Sequence, residues 1–316
     1  MKAARVHQFG GTEQIMLEEI EHPEPAEHEV LVQVEACGVG PWDAWVRAGK
    51  SVIEQPLPLT LGSDLSGHVA AVGRGVSSFH VGEAVFGVTN PRFTGAYAEY
   101  AIANAGMLAA KPAHTTHIEA ASVPVVAVTA LQMLFDHAKV VAGQRVLIHG
   151  AGGSVGAFAV QLARNAGAHV IGTDVAAAIP YVRSLGAEEV VNASTESFER
   201  ALAPVDVVID AVGGEVLERS FGVLKPGGVL ISSASRPSMA RAAERGVRAQ
   251  FILVDVTTSA LERIAALMAA SQLRPHLGPV LALAEARVAH EMLEGTRPRA
   301  PGKIVLRVGA NADERS

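Results

Sequence analysis

The sequence predicts an α/β protein that combines a doubly wound parallel sheet with a second, mainly β domain. Three observations predict this fold class. A glycine-rich turn stands between an apolar strand and a helix, and apolar strands alternate with helical patterns from about residue 118 to residue 272. Short strands separated by glycine and proline fill the region before it. Alternating strands and helices are typical of a parallel sheet covered on both faces.

The glycine-rich turn has the sequence Gly150-Ala-Gly-Gly-Ser-Val-Gly156. The strand Val146–His149 precedes it, a helical pattern follows over Ala157–Ala166, and a second strand ends with a carboxylate at Asp174. Glycines let the backbone approach a pyrophosphate, which binds at the helix N-terminus, and an acid about twenty residues on binds the ribose hydroxyls. The turn therefore predicts a dinucleotide site; a glycine-rich turn without a ligand is the alternative.

The strands predicted around this turn are Val146–His149, His169–Gly172, Glu189–Val191, Val205–Asp210 and Gly228–Ser232. Ligands of doubly wound sheets bind at the carboxyl ends of the strands. Two pairs of residues stand at such ends: Val212 and Gly213 after the fourth strand, and Ser232 and Ser233 after the fifth. We expect both pairs to contact the cofactor.

The first third of the chain predicts short strands at Ala3–Gln8, Val30–Cys37, Gly67–Val72, Ala84–Val88 and Tyr97–Ile102. The second of these alternates apolar and polar residues, as a half-buried strand does. The C-terminal part predicts a helix over Leu283–Leu293 and a last strand over Lys303–Val308. Asn311–Ser316 is expected to be disordered.

Composition excludes several classes of protein. The chain has 316 residues, of which 49% are hydrophobic, and a net charge of −6 without a basic run, which argues against a nucleic-acid partner. Its apolar runs are interrupted before the ~18 residues that a membrane span needs. The single cysteine, Cys37, forms no internal disulfide, and the first residues show no signal-peptide core. We therefore expect a cytoplasmic protein without a membrane partner.

Six stretches together resemble the zinc-free quinone oxidoreductase branch, which includes zeta-crystallin, of the medium-chain dehydrogenase/reductase superfamily. They lie at residues 36–49, 61–69, 95–100, 143–150, 183–190 and 302–306, and the resemblance covers nearly the whole chain. It implies a GroES-like catalytic domain of residues 1–118 plus 273–316. A Rossmann dinucleotide-binding domain would occupy residues 119–272, with the ligand cleft where the two domains meet.

The resemblance also bears on metal binding, because zinc-dependent relatives carry a second cysteine and a His-Glu pair at three positions that can be aligned. Here those positions are Gly40, Ser63 and Asp64. A catalytic zinc needs about three protein ligands. Glycine offers none and serine is a poor ligand, so we expect no metal. Cys37 aligns with a cysteine that is not a ligand, and we expect it to be buried.

By the same resemblance, Gly40, Trp42, Asp43 and Trp45 are candidates for the substrate pocket, and no residue is assigned a certain catalytic role. Relatives commonly have asparagine in place of Gly40 and tyrosine in place of Trp45, so a hydrogen-bond donor and a proton donor are missing. Two alternatives stay open. Both tryptophans could pack in the core, and Asp43 could be a buried carboxylate bonded to backbone.

The predicted cofactor contacts combine the strand ends with residues implied by the resemblance. By the resemblance, Thr129, which leads into the Rossmann domain, would face the nicotinamide. Lys303 belongs to a C-terminal Gly-Lys motif of the family; the alternative is that it lies at a solvated strand edge. The full set is Thr129, Gly152, Gly153, Ser154, Val155, Gly156, Asp174, Val212, Gly213, Ser232, Ser233 and Lys303.

The choice between NADH and NADPH depends on the end of the second strand. The zinc-free branch mostly uses NADPH, held by a basic residue there and by a later tyrosine. This chain has Asp174 followed by Val-Ala-Ala-Ala without a basic residue at 175–178, and Ala193 at the tyrosine's place. A carboxylate suits a free 2′-hydroxyl and repels a 2′-phosphate. We therefore expect NADH, while Arg183 on the next helix keeps NADPH open.

These observations predict an NAD(P)H-dependent oxidoreductase that reduces a quinone or the activated C=C bond of an enone or enal by direct hydride transfer. Hydride transfer to these substrates gives a hydroquinone anion or an enolate, which solvent can protonate, so no Lewis acid is required. A catalytically weak nucleotide-binding protein of the same fold is the alternative. Relatives often pair edge strands, and Arg248–Val254 predicts either such an edge, giving a homodimer, or an internal strand.

Overall fold

The computed structural model describes residues 1–309, so the predicted disorder of Asn311–Ser316 lies outside the described residues. Within that range the strands are β1 (Lys2–Val6), β2 (Met16–Glu19), β3 (Glu29–Val39), β4 (Leu59–Thr60), β5 (Asp64–Val72), β6 (Ala84–Val88), β7 (Tyr100–Asn104), β8 (Leu108–Ala110), β9 (Arg145–His149), β10 (His169–Asp174), β11 (Glu189–Asn192), β12 (Val205–Asp210), β13 (Leu224–Ser232), β14 (Arg248–Phe251), β15 (Leu277–Ala282) and β16 (Lys303–Arg307). The α-helices are α1 (Pro41–Arg47), α2 (His117–Ala121), α3 (Pro124–Leu131), α4 (Ser154–Asn165), α5 (Ile179–Ser184), α6 (Phe198–Ala201), α7 (Gly214–Ser220), α8 (Met239–Arg245), α9 (Thr258–Ala269) and α10 (Ala286–Leu293).

The described chain divides into two compact units, each of which has its own sheet system. The first contains residues 1–125, 256–271 and 275 onward, and the second contains residues 126–255 and 272–274. Residues 256–271 contain α9, whose Thr258 hydroxyl donates to the Leu108 carbonyl at 2.8 Å in the first unit. These units are defined by the contacts between residues, whereas a domain is defined by independent folding. The domain boundaries implied by the family resemblance therefore stay a prediction.

The second unit is the predicted doubly wound sheet. Its strand order is β11-β10-β9-β12-β13-β14, and every neighbouring pair is parallel. Numbered within the unit, this is the order 3-2-1-4-5-6 of a Rossmann fold. The buried residues of the central strands are mostly Val, Leu and Ile, as expected for strands covered on both faces. The α/β fold class is therefore confirmed.

The first unit is mainly β. A long sheet has the order β15-β16-β3-β5-β6-β8, with β7 paired to β3, and a small sheet has the order β2-β1-β4. β3 is the central strand, pairing with β5, β7 and β16, and its alternating residues Val30, Val32 and Val34 are almost fully buried. Its last residues therefore lie in the middle of the sheet, where the polar groups described below meet.

The stretch predicted as either an edge or an internal strand is an edge. β14 lies at the end of the six-stranded sheet and pairs with β13 alone among the described strands. It covers Arg248–Phe251, and the following Leu253 is 64% exposed. The interpretation as an internal strand is therefore wrong. No helix within the described residues is long and apolar enough to cross a membrane.

Candidate functional site

The glycine turn connects β9 to α4 and is held together by its own backbone. Gly150 has a positive φ of 68°, and the Gly153 N–H donates to its carbonyl at 2.9 Å. A Cβ atom at Gly156 would lie 2.0 Å from that same carbonyl oxygen, so only glycine allows the helix to begin this close to the strand. The first N–H groups of a helix have no intrahelical acceptor, and α4 therefore offers them at the open end of the turn.

The carboxylate of Asp174 lies beside this turn. Its Oδ2 accepts a hydrogen bond from the Gly152 N–H at 2.7 Å, and its Oδ1 accepts one from the Val175 N–H at 2.7 Å. Because both donors are backbone amides, the side chain is fixed as an acceptor at the carboxyl end of β10. Its oxygens have lone pairs left for the hydroxyls of a ribose. The structure thus brings Asp174 together with the turn, as the sequence predicted.

A buried carboxylate that sequence reasoning missed, Asp210, joins the other two predicted contact segments. It is fully buried at the end of β12 and accepts hydrogen bonds from the N–H groups of Val212 (3.1 Å) and Gly213 (2.9 Å). The Ser232 hydroxyl donates to it at 2.7 Å, and that hydroxyl accepts bonds from the loop after β13. Ser232 is itself fully buried, so its side chain holds these loops in place. The signal for Asp210 was an acid at a strand end before two glycines.

A second missed residue, His149, ties the central strands together beneath the turn. It is fully buried, with Nδ1 2.8 Å from the Thr173 hydroxyl and Nε2 2.9 Å from the Ser220 hydroxyl. Since the Ser220 hydroxyl donates to the Val216 carbonyl at 2.7 Å, it accepts from Nε2–H, and the neutral ring accepts from Thr173. Burial lowers the pKa of His149 to about 4, so the ring stays neutral.

Thr129 and Ser233 complete the predicted set in this unit. Thr129 lies in α3 and is 6% exposed, and Ser233 donates its N–H to the Asp210 carbonyl at 3.1 Å. Ser154 and Val155 begin α4 and are half-buried. Their contacts with a cofactor stay predictions.

In the first unit, Asp43 is held by the start of α1. Its Oδ2 accepts hydrogen bonds from the Gly40 N–H at 2.8 Å and from the Tyr97 hydroxyl at 3.1 Å. Its Oδ1 has no hydrogen-bond partner among the described residues, and the side chain is fully buried. Burial raises the pKa of Asp43 to about 7. The alternative of a buried carboxylate bonded to backbone therefore describes Asp43 well.

Lys303 forms a buried ion pair with Asp64. Its Nζ lies 3.0 Å from Asp64 Oδ2, and the two side chains are 4% and 0% exposed. The Val125 N–H donates to the other oxygen, Oδ1, at 3.0 Å. Burial raises the pKa of Asp64, against the effect of the lysine, which lowers it. The interpretation of Lys303 as a solvated strand edge is wrong, because β16 lies between β15 and β3.

Trp42 and Trp45, both on α1, have different surroundings. The Trp42 Nε1–H donates to the Ser63 hydroxyl at 2.9 Å, and Lys303 Nζ lies 4.3 Å from the centre of its ring. Trp45 is 53% exposed, so its interpretation as core packing is wrong. Cys37 is fully buried as expected, and burial raises the pKa of its thiol well above the usual value. The thiol is therefore not an activated nucleophile.

Comparison with known proteins places these features in a family. Residues 26–113 match the family model of the alcohol dehydrogenase GroES-like domain, and residues 185–306 match that of the zinc-binding dehydrogenase. A quinone oxidoreductase of Sus scrofa is 35% identical over 323 residues, covering 97% of each chain. The chain belongs to the quinone oxidoreductase branch of the medium-chain dehydrogenase/reductase superfamily. Membership in this branch makes it an oxidoreductase.

Solved structures of quinone oxidoreductases are similar to this chain over nearly its whole length. The enzyme from Coxiella burnetii has a TM-score of 0.90 at 33% identity and covers 98% of this chain and 99% of its own. The Escherichia coli quinone oxidoreductase, solved in complex with NADPH, has a TM-score of 0.87 at 25% identity and covers 96% and 100%. The predicted family and its GroES-like and Rossmann folds are therefore confirmed.

One of the two matching family models is that of a zinc-binding dehydrogenase, which raises the question of whether the described residues could hold a metal ion. Within residues 1–309 no group of three or more His, Cys, Asp or Glu side chains is arranged to hold a metal ion. The Ser63 hydroxyl accepts a hydrogen bond from Trp42, and the Asp64 carboxylate is paired with Lys303. A dinucleotide, in contrast, fits the glycine turn, where a Cβ at Gly152 would lie 3.1 Å from Asp174 Oδ2.

Proposed function

We propose that this chain is an NAD(P)H-dependent, zinc-independent oxidoreductase that reduces a quinone or the activated C=C bond of an enone or enal. The observation that carries the proposal is the glycine turn with Asp174 fixed beside it. Bound nicotinamide would supply a hydride. The hydroquinone or enolate anion that results can take its proton from solvent, so the reaction needs no Lewis acid.

The chain's own residues would bind and orient the two reactants. The turn from Gly150 to Gly156 would hold the pyrophosphate, and Asp174 would accept hydrogen bonds from the ribose hydroxyls. Asp210 and Ser232 would fix the loops that face the rest of the cofactor. Holding donor and acceptor in register is itself a large part of catalysis.

We favour NADH as the cofactor. The Asp174 carboxylate accepts two backbone hydrogen bonds, so it presents a fixed acceptor where a 2′-phosphate would stand. No lysine or arginine lies at 175–178, and Arg183 is exposed on α5. The measurement is kcat/KM for NADH and NADPH. A tenfold preference for NADPH, about 1.4 kcal/mol, would contradict this choice.

The first experiment is turnover of purified, metal-free protein with NADH or NADPH and a panel of quinones, enones and enals. Loss of nicotinamide absorbance that a chelator does not slow is the expected result. Gly156→Ala provides the matched variant, because its methyl group would lie 2.0 Å from the Gly150 carbonyl oxygen and disturb the turn. Stoichiometric zinc, together with activity lost on chelation, would contradict zinc independence.

A catalytically weak nucleotide-binding protein is the second candidate, and the environment of Trp42 favours it. Gly40 offers no side-chain donor, and the Trp42 N–H is already bonded to Ser63, so neither residue is free to polarise a substrate oxygen. Cofactor binding by titration without turnover of any acceptor in the panel would establish this alternative.

Assembly and location belong to the same proposal. We propose a homodimer formed through β14, whose outer edge has no strand partner among the described residues. A monomeric mass by light scattering at micromolar concentration would contradict it. A cytoplasmic location stays a prediction, based on the single cysteine.

A further inference from the structure

Gly40 and Trp42 stand next to each other where β3 passes into α1. We propose that they are a matched pair, in which the indole of Trp42 occupies the place of the metal centre of zinc-dependent relatives and positions Ser63 and Lys303. The inference rests on the zinc-independent part of the proposed function and deepens it, because it names the side chain that excludes the metal.

The first observation is that the indole fills the space of a side chain at position 40. A Cβ atom at Gly40 would lie 2.3, 2.4 and 2.5 Å from three carbons of the six-membered ring of Trp42. The backbone of Gly40 is extended, with φ −131° and ψ 165°, a conformation that every residue adopts. The backbone conformation therefore permits a side chain here, and the three atoms nearest to it all belong to the indole.

The second observation is that the same ring reaches Ser63, another of the three aligned ligand positions. The Trp42 Nε1–H donates to the Ser63 hydroxyl at 2.9 Å, and Ser63 is fully buried. The Trp42 side chain thus contacts two of the three positions, Gly40 and Ser63, that align with zinc ligands of the zinc-dependent relatives. A metal ion bound there would have to displace the ring and break this hydrogen bond.

The third observation is a positive charge against the ring. Lys303 Nζ lies 4.3 Å from the ring centre and 3.0 Å from Asp64 Oδ2. Gly38 lies against the same pair: a Cβ there would lie 2.5 Å from the Ala121 carbonyl oxygen and 3.0 Å from both Lys303 Cε and Asp64 Cβ. An ammonium group on an aromatic face is attracted to it, and a buried ammonium opposes a second cation nearby. The ring and the lysine together close the site to a metal.

The first test is a double-mutant cycle on thermal stability. Gly40→Ala is made in the native background and in the Trp42→Ala background, and the melting temperature of each protein is measured. We expect Gly40→Ala to lower the melting temperature in the native background and not to lower it when Trp42 is absent. Equal effects in the two backgrounds would overturn the proposal, because something other than the indole would then oppose the methyl group.

A spectroscopic readout accompanies the cycle, because the chain has two tryptophans and Trp45→Phe leaves Trp42 as the only one. In that protein we expect Gly40→Ala to shift the emission to the red and to increase quenching by acrylamide, as the ring is displaced towards water. Trp42→Phe is the matched variant for the hydrogen bond, since it keeps an aromatic ring and removes the N–H that Ser63 accepts. Unchanged emission on Gly40→Ala would overturn the proposal.

The closing experiment measures metal affinity. The double variant Gly40→Cys, Ser63→His is prepared with Trp42 and with Trp42→Ala, and each is titrated with Zn²⁺ and, for thiolate absorbance, with Co²⁺. We expect at least tenfold tighter binding when the indole is removed. Equal affinities, or no binding by either protein, would overturn the claim that the ring excludes the metal. Turnover of the unmodified chain with quinone tests the proposed function separately, so the two failures are distinguishable.

Discussion

Replacing Asp43 by asparagine should remove a pH-dependent loss of stability. Asp43 is fully buried, and its Oδ1 has no partner among the described residues. Burial raises the pKa of Asp43 from 3.8 to about 7, although hydrogen bonds from Gly40 and Tyr97 and the charge of Lys303 lower it. The substitution Asp43→Asn keeps an oxygen for both hydrogen bonds and carries no charge.

The sign and size of the effect follow from proton binding. Because the pKa is higher in the folded chain, the folded chain binds a proton more tightly than the unfolded chain between pH 3.8 and about 7. Stability is therefore fully present below the unfolded pKa and falls as the pH rises through the folded pKa. A pKa difference of about 3 corresponds to a loss on the order of 4 kcal/mol.

The assay is denaturant unfolding at several values between about pH 4 and pH 8, the range set by this titration. The free energy of unfolding of the native protein should fall with pH relative to that of Asp43→Asn. Tyr97→Phe is the informative comparison, because it removes a donor to the ionised carboxylate and should extend the fall to higher pH. Parallel pH profiles of the native protein and Asp43→Asn would refute the reasoning.

Three further predictions concern the ion pair and the cofactor. Lys303→Met should cost about 3–5 kcal/mol by leaving the Asp64 carboxylate buried and unpaired. Denaturation should show a smaller cost at low pH, because the raised pKa of Asp64 lets it protonate; an equal cost at every pH would contradict this. Gly156→Ala should weaken nucleotide binding in a titration, since its methyl group would lie 2.0 Å from the Gly150 carbonyl oxygen. Asp174→Ser should raise kcat/KM for NADPH relative to NADH by tenfold or more, and an unchanged ratio would count against its proposed role.

The Rossmann unit could be predicted from sequence because its signals are local. Each predicted strand in it corresponds to an observed one, with Val205–Asp210 matching end to end. A buried parallel strand is a continuous apolar run, and the helices between the strands carry their own periodicity. Such patterns extend over fewer than about twenty residues and do not depend on distant parts of the chain.

The mainly β unit was predicted less completely. Helix α1 was not predicted, although Pro41 stands at its first turn and Gly40 caps it, because seven residues with two tryptophans show no clear helical period. The two-residue strand β4 and the edge strand β2 are too short and too exposed to leave an alternating pattern. Their conformation depends on pairing with β1, and the local sequence pattern does not reveal which strands pair.

The polar contacts of the site were the least accessible, because they join distant residues. Asp64 and Lys303 are 239 residues apart, and Asp43 and Tyr97 are 54 apart. The sequence placed Lys303 at the start of a strand but contained no sign of its partner. The ends of β9, β10, β12 and β13 were predicted, whereas the bonds from His149 and Asp210 depend on which strands lie side by side.

The departures from the family pattern show most clearly what a structure adds. In sequence, the glycine at position 40 is a lost side chain and Trp42 is an unrelated aromatic residue. In the structure a Cβ at Gly40 would lie 2.3 Å from the Trp42 ring, so the absence of a side chain at one position is a condition for the ring at the other. Substituting Gly40 alone would therefore not restore the family pattern, because the ring would have to leave first.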